Sequence, residues 1–430
     1  MRLGGRKEYL YIAMRPTVVV TGLGVVSPNG IGVQAFRNAI LQGRSGVKRI
    51  SLFDASSLPV TIAGEVSEFD ELAWVAEHER KHVSRAVPLA MAASTEALAD
   101  AGYEPDKMSL DEKRETAVVL GTGGGAQEFS EAQYRLWLTG NVKQVSLFTI
   151  PSGTMGTMSS EISMRFGFRG FSHVVTTGCT SSTDAIAYAA DKIRGGRIRR
   201  VLVGGVDAPL ALGIVKGFLL MRILSTAFDR EPTTASRPFS IDRDGFVLGE
   251  GAWMLMLEDA EQARARGAKI YAEIAGYGST CEAFHRVRLE ECGEEPARAI
   301  GLAMQDAAIG SKDVDYVNLH GTSTELNDRI ETRALKLALG EERARRVPMS
   351  ALKSQIGHPQ GACGAAGVVA TILAMHAQQL PPTINLTNPD PECDLDYVPC
   401  PGRRHLIEHA VCNCIAFGSK NSALVLRRAN

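Results

Sequence analysis

Short β-branched runs alternate along this chain with helical patterns built from small residues, and that alternation restricts the fold more than any other feature. Thr17–Thr21, Thr116–Gly121, Arg200–Gly204, Trp253–Leu257, Tyr316–His320, Val411–Phe417 and Ala423–Arg427 read as strands. Ala86–Ala101, Ser181–Arg194, Ala260–Arg266, Glu295–Ala308 and Gly361–Gln378 read as helices. Most strand runs are continuously apolar, as strands covered by helices on both faces must be. The expected class is therefore α/β. The length suits one large domain or two fused medium ones, with a division near Gln262.

Lys and Arg number 47 against 48 Asp and Glu, so no global field selects nucleic acid. No run reads as a membrane span, so no membrane insertion is expected. Residues 1–13 carry charges and no apolar core of signal-peptide length; they are expected to be either a disordered head or the product of an upstream start codon that is not always used, with the ordered fold starting at Met14. The eight cysteines have no regular spacing, and Cys412-Asn413-Cys414 lacks the partner spacing of a zinc site. A reducing, cytoplasmic setting and no bound metal are expected.

Gly22-Leu23-Gly24 and Gly121-Thr122-Gly123-Gly124-Gly125 each follow a strand. Neither completes a dinucleotide fingerprint, and close backbone approach in a packed turn explains them better.

Three segments carry chemistry. His173-Val174-Val175-Thr176-Thr177-Gly178-Cys179-Thr180-Ser181-Ser182 reads as strand, tight turn and helix start, with a thiol in the first turn. Free N–H groups and the helix dipole there would favour a thiolate near neutral pH. A lone cysteine in such a run is more often inert, but two histidine motifs follow. His320-Gly321-Thr322-Ser323-Thr324 lies where a strand gives way to a polar loop, and Lys353-Ser354-Gln355-Ile356-Gly357-His358 precedes an Ala- and Gly-rich helix.

Together with Arg237–Ala252, Val20–Gly24 and Asn413–Asn421, these motifs resemble the β-ketoacyl-[acyl carrier protein] synthases from Met14 to the end, and the elongating synthase II type most. The resemblance implies a thiolase-like fold of two similar halves (14–262 and 263–430) in a five-layered α/β/α/β/α arrangement, and a homodimer. It implies an acyltransferase with no bound cofactor, the phosphopantetheine arm arriving on acyl carrier protein. Cys179 would take the acyl chain, and malonyl-carrier protein would be decarboxylated and condensed with it. His320 and His358 would hold the enolate oxygen, with Lys353 and Glu331 paired in support. The backbone N–H groups of Cys179 and Phe417 would hold the acyl oxyanion, and Thr322 and Thr324 the pantetheine arm.

Departures from the family pattern bear on substrate. The gate around Phe417 reads Ala416-Phe417-Gly418-Ser419, so its hinge is expected to be stiffer. Gly124 stands where a bulky residue usually caps the acyl pocket, which predicts a deeper pocket unless Phe129 or Phe218 refills it. Glu282 opens the companion loop, one methylene longer than the usual acid. Arg80, Lys81 and Arg222 align with the face that docks the acidic carrier protein. A type II polyketide ketosynthase is the alternative pathway. A non-catalytic chain-length-factor subunit is disfavoured because Cys179, His320 and His358 are all present. A CoA-dependent thiolase is disfavoured because Cys414-Ile415-Ala416-Phe417 lacks the required cysteine motif.

Overall fold

The computed structural model describes residues 16–429; the disordered head expected over 1–13 and the start of the fold expected at Met14 lie outside them. Ten strands form the frame: β1 (Val18–Ser27), β2 (Thr116–Gly121), β3 (Ser172–Val175), β4 (Arg200–Asp207), β5 (Gly251–Asp259), β6 (Ala272–Cys281), β7 (Tyr316–Asn318), β8 (Met349–Ser350), β9 (His409–Ala416) and β10 (Lys420–Arg428). Their order is β8-β7-β9-β10-β6-β1-β5-β4-β2-β3. From either end inward, each half runs third, second, fourth, fifth and first strand. The outer three are mutually parallel and the inner two antiparallel to their neighbours. The duplication that residue identity hides is therefore explicit in the topology.

Among the described residues, the two halves of the sheet join through Val19↔Glu273 and Val20↔Ala272. Elsewhere helices separate them. The principal ones are α1 (Ala86–Asp100), α2 (Ser181–Arg194), α3 (Glu294–Asp306), α4 (Glu325–Leu339) and α5 (Cys363–Ala377). α1 covers the outer face of the first half, α3 and α4 that of the second, while α2 and α5 lie between the sheets and touch both. This is the five-layered thiolase-like arrangement.

Glycine pairs set the outer layer spacing. A Cβ on Gly22 or Gly24 would lie 2.1 or 1.8 Å from the carbonyl oxygens of Ala97 and Ala93 in α1. In the second half Gly276 and Gly278 face Ala303 and Ala299 of α3 at 2.2 and 2.1 Å. The first pair thus lies inside β1, not in the expected turn, and serves helix–strand contact. α5 corrects a second expectation: Gln360–Ala377 is long and apolar enough to cross a membrane by composition, yet 83% of it is buried. It is apolar all round because it lies between two sheets.

Candidate active site

Cys179 follows β3 through Gly178, whose φ of 78° closes the turn. The sulfur is buried at the start of α2, 3.3 Å from His358 Nε2, and receives the backbone N–H of Phe417. Helix α5 begins beside it: Ala365 N–H donates to Ser182 Oγ at 2.8 Å, and Gly364 gives Thr183 the space a side chain would take. Nucleophile and histidines therefore meet at the seam between halves.

Burial overrides the expected helix-terminus effect. Desolvation pushes the Cys179 thiol up to about 12, with the Lys353 charge and the Phe417 N–H opposing. Burial therefore opposes the thiolate expected from sequence.

His320 leaves the end of β7, and its segment is gripped from two sides. Glu331 on α4 accepts the backbone N–H groups of His320 and Gly321, both at 2.7 Å, and Asn413 of β9 donates to the same carboxylate at 2.7 Å. Lys353 Nζ donates to His320 O at 2.6 Å and approaches Nδ1 at 3.3 Å. Lys353 and Glu331 thus form no ion pair with each other; each holds the histidine segment instead. The ammonium on Nδ1 leaves the proton on Nε2. Burial, then the Lys353 charge, lowers His320 to about 3, and burial lowers His358 too, so both rings are neutral at pH 7. The rings stand edge to face, with centroids 5.4 Å apart.

The segment 236–249 sets these loops. His358 N–H donates to Val247 O at 2.7 Å, Gly249 N–H to His358 O at 3.0 Å, and Ser236 Oγ to Lys353 O at 2.7 Å.

A cavity of about 410 Å³ opens on Cys179, His320 and His358. Met221, Ile223, Phe246, Leu289 and Ile415 make it apolar; Phe417, Thr322 and Thr324 also line it, and Arg288 is exposed at its wall. The two threonine hydroxyls bond each other at 2.8 Å.

Three residues expected at the acyl pocket do not line this cavity. Gly124 has its N–H on Asp207 Oδ1 at 2.9 Å, and Asp207 occupies the space beside it. Phe218 stands behind Phe246, edge-on at 5.6 Å. Glu282 braces its own loop by accepting Glu290 N–H at 2.8 Å. The glycine-rich loop is an anion nest filled from within: Asp207 also accepts Gly123 N–H and Thr122 Oγ1–H, both at 2.7 Å.

The gate is laced. Ser419, at φ 63°, accepts the N–H of His285 at 3.2 Å and donates to His285 O at 3.0 Å, while Gly418 N–H donates to Arg286 O at 2.9 Å. Of the expected docking residues, Arg222 is exposed beside cavity-lining Met221. Arg80 is ion-paired to Glu71 and, with Lys81, lines a separate groove.

Residues 15–263 match the family model "Beta-ketoacyl synthase, N-terminal domain", and residues 271–387 its C-terminal counterpart. The chain belongs to the β-ketoacyl synthase family. This synthase is 39% identical over 411 residues to the 3-oxoacyl-[acyl-carrier-protein] synthase 2 of Synechocystis sp., covering 96% of this chain and 98% of the relative. It is 40% identical over 422 residues to a putative polyketide beta-ketoacyl synthase 1 of Streptomyces cyaneus, with the same coverage. Among solved structures, a beta-ketoacyl synthase from Burkholderia phymatum superposes with TM-score 0.88 at 34% identity, covering 96% of this chain and all of that one. A type II polyketide acyl-carrier protein in complex with its hexaketide-bound ketosynthase gives 0.87 at 33%, covering 97% and 100%.

Sequence reasoning on this synthase missed Asn413, Asp207, Arg288 and the thiols Cys363 and Cys414 around the nucleophile. Only Asp207 left a usable signal, since a glycine-rich loop with no phosphate motif needs another anion.

Proposed function

We propose that this chain condenses an acyl group held on Cys179 with malonyl-[acyl carrier protein], releasing carbon dioxide and giving β-ketoacyl-[acyl carrier protein]. The observation carrying this reading is the convergence of a buried thiol and two neutral imidazoles on one apolar cavity.

The carrier's pantetheine arm enters past Thr322 and Thr324. As the Cys179 sulfur attacks the acyl carbonyl, its proton passes to the departing pantetheine thiolate, so no net charge is left behind. Malonyl thioester then binds. Its C–C bond breaks, carbon dioxide leaves, and the electron pair moves onto the thioester oxygen. His320 Nε2–H, its tautomer set by Lys353, donates to that oxygen, and His358 is the second donor. The enolate carbon attacks the acyl carbonyl, whose oxyanion the N–H groups of Cys179 and Phe417 hold. Collapse expels the Cys179 thiolate, which takes up one proton from solvent, the proton that the overall decarboxylative condensation consumes. None of these steps calls for an enzyme-bound cofactor. Neutral rings suit the work, because an imidazolium would lose its proton to the enolate rather than share it.

The apolar lining favours a hydrocarbon acyl chain, and elongation of fatty chains is the primary assignment. The second reading, a type II polyketide ketosynthase, is supported by comparable identity, 40% against 39%, to a putative polyketide synthase. Among the described residues, strand β3 ends the sheet with one edge unpaired and its residues partly exposed. That edge would receive a second copy of the chain as a homodimer. Arg222 and Arg288 at the cavity, with Arg80 and Lys81 further off, would meet the acidic carrier protein. The setting is cytoplasmic, matching free thiols throughout the described residues.

The test is a condensation assay with malonyl-carrier protein and a panel of acyl-carrier proteins, mass spectrometry following product and Cys179 adduct. Elongation of saturated chains by this protein alone supports the primary reading. Activity confined to polyunsaturated or β-keto chains supports the second, and acylation without any condensation defeats both.

A further inference from the structure

Behind the nucleophile lie two thiols that the condensation leaves unused and that do not line the cavity. Cys363 opens α5 and Cys414 lies near the end of β9; both are buried, with their sulfurs 3.6 Å apart. They are not bystanders to position. Cys414 Sγ lies 3.1 Å and Cys363 Sγ 3.2 Å from the carbonyl oxygen of Cys179, and Cys414 Sγ is 3.6 Å from His320 Nδ1. The pair therefore touches the backbone of the nucleophile and the ring of one histidine.

We propose that Cys363 and Cys414 are a redox site: hydrogen peroxide joins them in a reversible disulfide that disables the adjoining Cys179. One sulfur attacks the peroxide oxygen, breaking the O–O bond and releasing water, and becomes a sulfenic acid. The other attacks that sulfur, forming the S–S bond and expelling a second water. The two thiols lose two hydrogens and two electrons, and peroxide is reduced to two waters.

A disulfide requires sulfurs about 2.05 Å apart, so the pair must close by about 1.5 Å. One sulfur belongs to a helix start and the other to a strand, so closure draws α5 toward β9. It also withdraws the sulfur contacts from the Cys179 carbonyl. The Lys353 ammonium favours a thiolate within the cluster. Burial opposes that at Cys363, but the Cys414 thiol, Lys353 and both imidazoles outweigh it and hold Cys363 well below the ordinary cysteine range. Either sulfur can attack first, the other then resolving. A soft metal held by His320, Cys363 and Cys414 is the competing occupant. It would have to bind beside the Lys353 ammonium that already faces Nδ1, which disfavours it.

The test uses the reduced full-length protein, with peroxide and a chelator present. Intact mass and non-reducing peptide maps follow the crosslink, and iodoacetamide labelling follows Cys179 reactivity, a readout independent of the condensation assignment. The expected result is loss of two hydrogens, a Cys363–Cys414 peptide pair, and Cys179 labelling that falls as the crosslinked fraction rises and returns with dithiothreitol. The same crosslink should form in Cys179→Ala and be lost in both Cys363→Ala and Cys414→Ser. A crosslink that includes Cys179, oxidation confined to Cys179, or a Cys363–Cys414 bond with undiminished labelling would each overturn the proposal. So would protection of the pair that appears only when zinc replaces the chelator.

Discussion

Replacing Lys353 by Met tests the electrostatic design of the site most directly. Methionine keeps the length and apolar stem of the side chain but removes its donors. Two contacts disappear, the 2.6 Å bond to His320 O and the 3.3 Å approach to Nδ1. With no donor on Nδ1, the ring is free to carry its proton there, leaving a bare Nε2 lone pair where the enolate forms. Losing one such donor costs about 2.7–4 kcal/mol, or about 10²–10³ in rate. Losing the buried backbone contact costs the fold about 1–3 kcal/mol more. The two catalytic stages separate the effects. On protein pre-acylated at Cys179, release of carbon dioxide from malonyl-carrier protein should fall by about 10²–10³. Acylation of the free protein should slow as well, because Lys353 opposes the burial that raises the thiol. An unchanged decarboxylation rate on the acylated, folded variant would refute the tautomer argument.

Further outcomes follow from the same geometry. Decarboxylation by acylated protein should show no loss of rate near pH 6.5, because His320, lowered to about 3, stays neutral as pH falls through that value. Gly24→Ala places a Cβ 1.8 Å from Ala93 O and should destabilise by about 1–3 kcal/mol, read as a lower melting temperature; an unchanged one would show that α1 can retreat freely. Ser419→Gly cuts the hydroxyl lacing and should speed acylation by long-chain carriers in stopped flow, whereas a slower rate would mean the lacing holds a competent gate. Arg222→Glu should raise KM for carrier protein while leaving kcat unchanged; an unaltered KM removes it from the interface.

The chemistry was legible where it depends on local sequence. Cys179, His320 and His358 each lie in a glycine-flanked run at a strand end or helix start, and such runs survive reading in one dimension. The central strand β6 did not, because Gly276 and Gly278 break its β-branched character; the same device shortened β1 at Gly22. Those glycines exist for contact with helices far along the chain, so their signal is tertiary. Burial was equally invisible, which is why the Cys179 thiol moves opposite to the helix-terminus expectation. Gly124 stands out for its missing side chain, yet its backbone N–H is tied to Asp207, which lies 83 residues further on, and it does not line the cavity. Lys353 and Glu331 reached the right neighbourhood by motif, but their partners depend on how β7, α4 and β9 stack.

The seam has a consequence for how the protein is made. Synthesis is vectorial, and the first half leaves the ribosome complete before α5 exists. By composition α5 is nearly membrane-like, and exposed alone it would be a sticky segment. Its order in the chain ensures that the first-half sheet and α2 are already waiting, while β9 and β10, which it also covers, follow it. Docking also brings His320, His358 and Phe417 to Cys179, so reactivity appears only once assembly is finished. An unfinished chain holds its nucleophile without the groups that would put it to use.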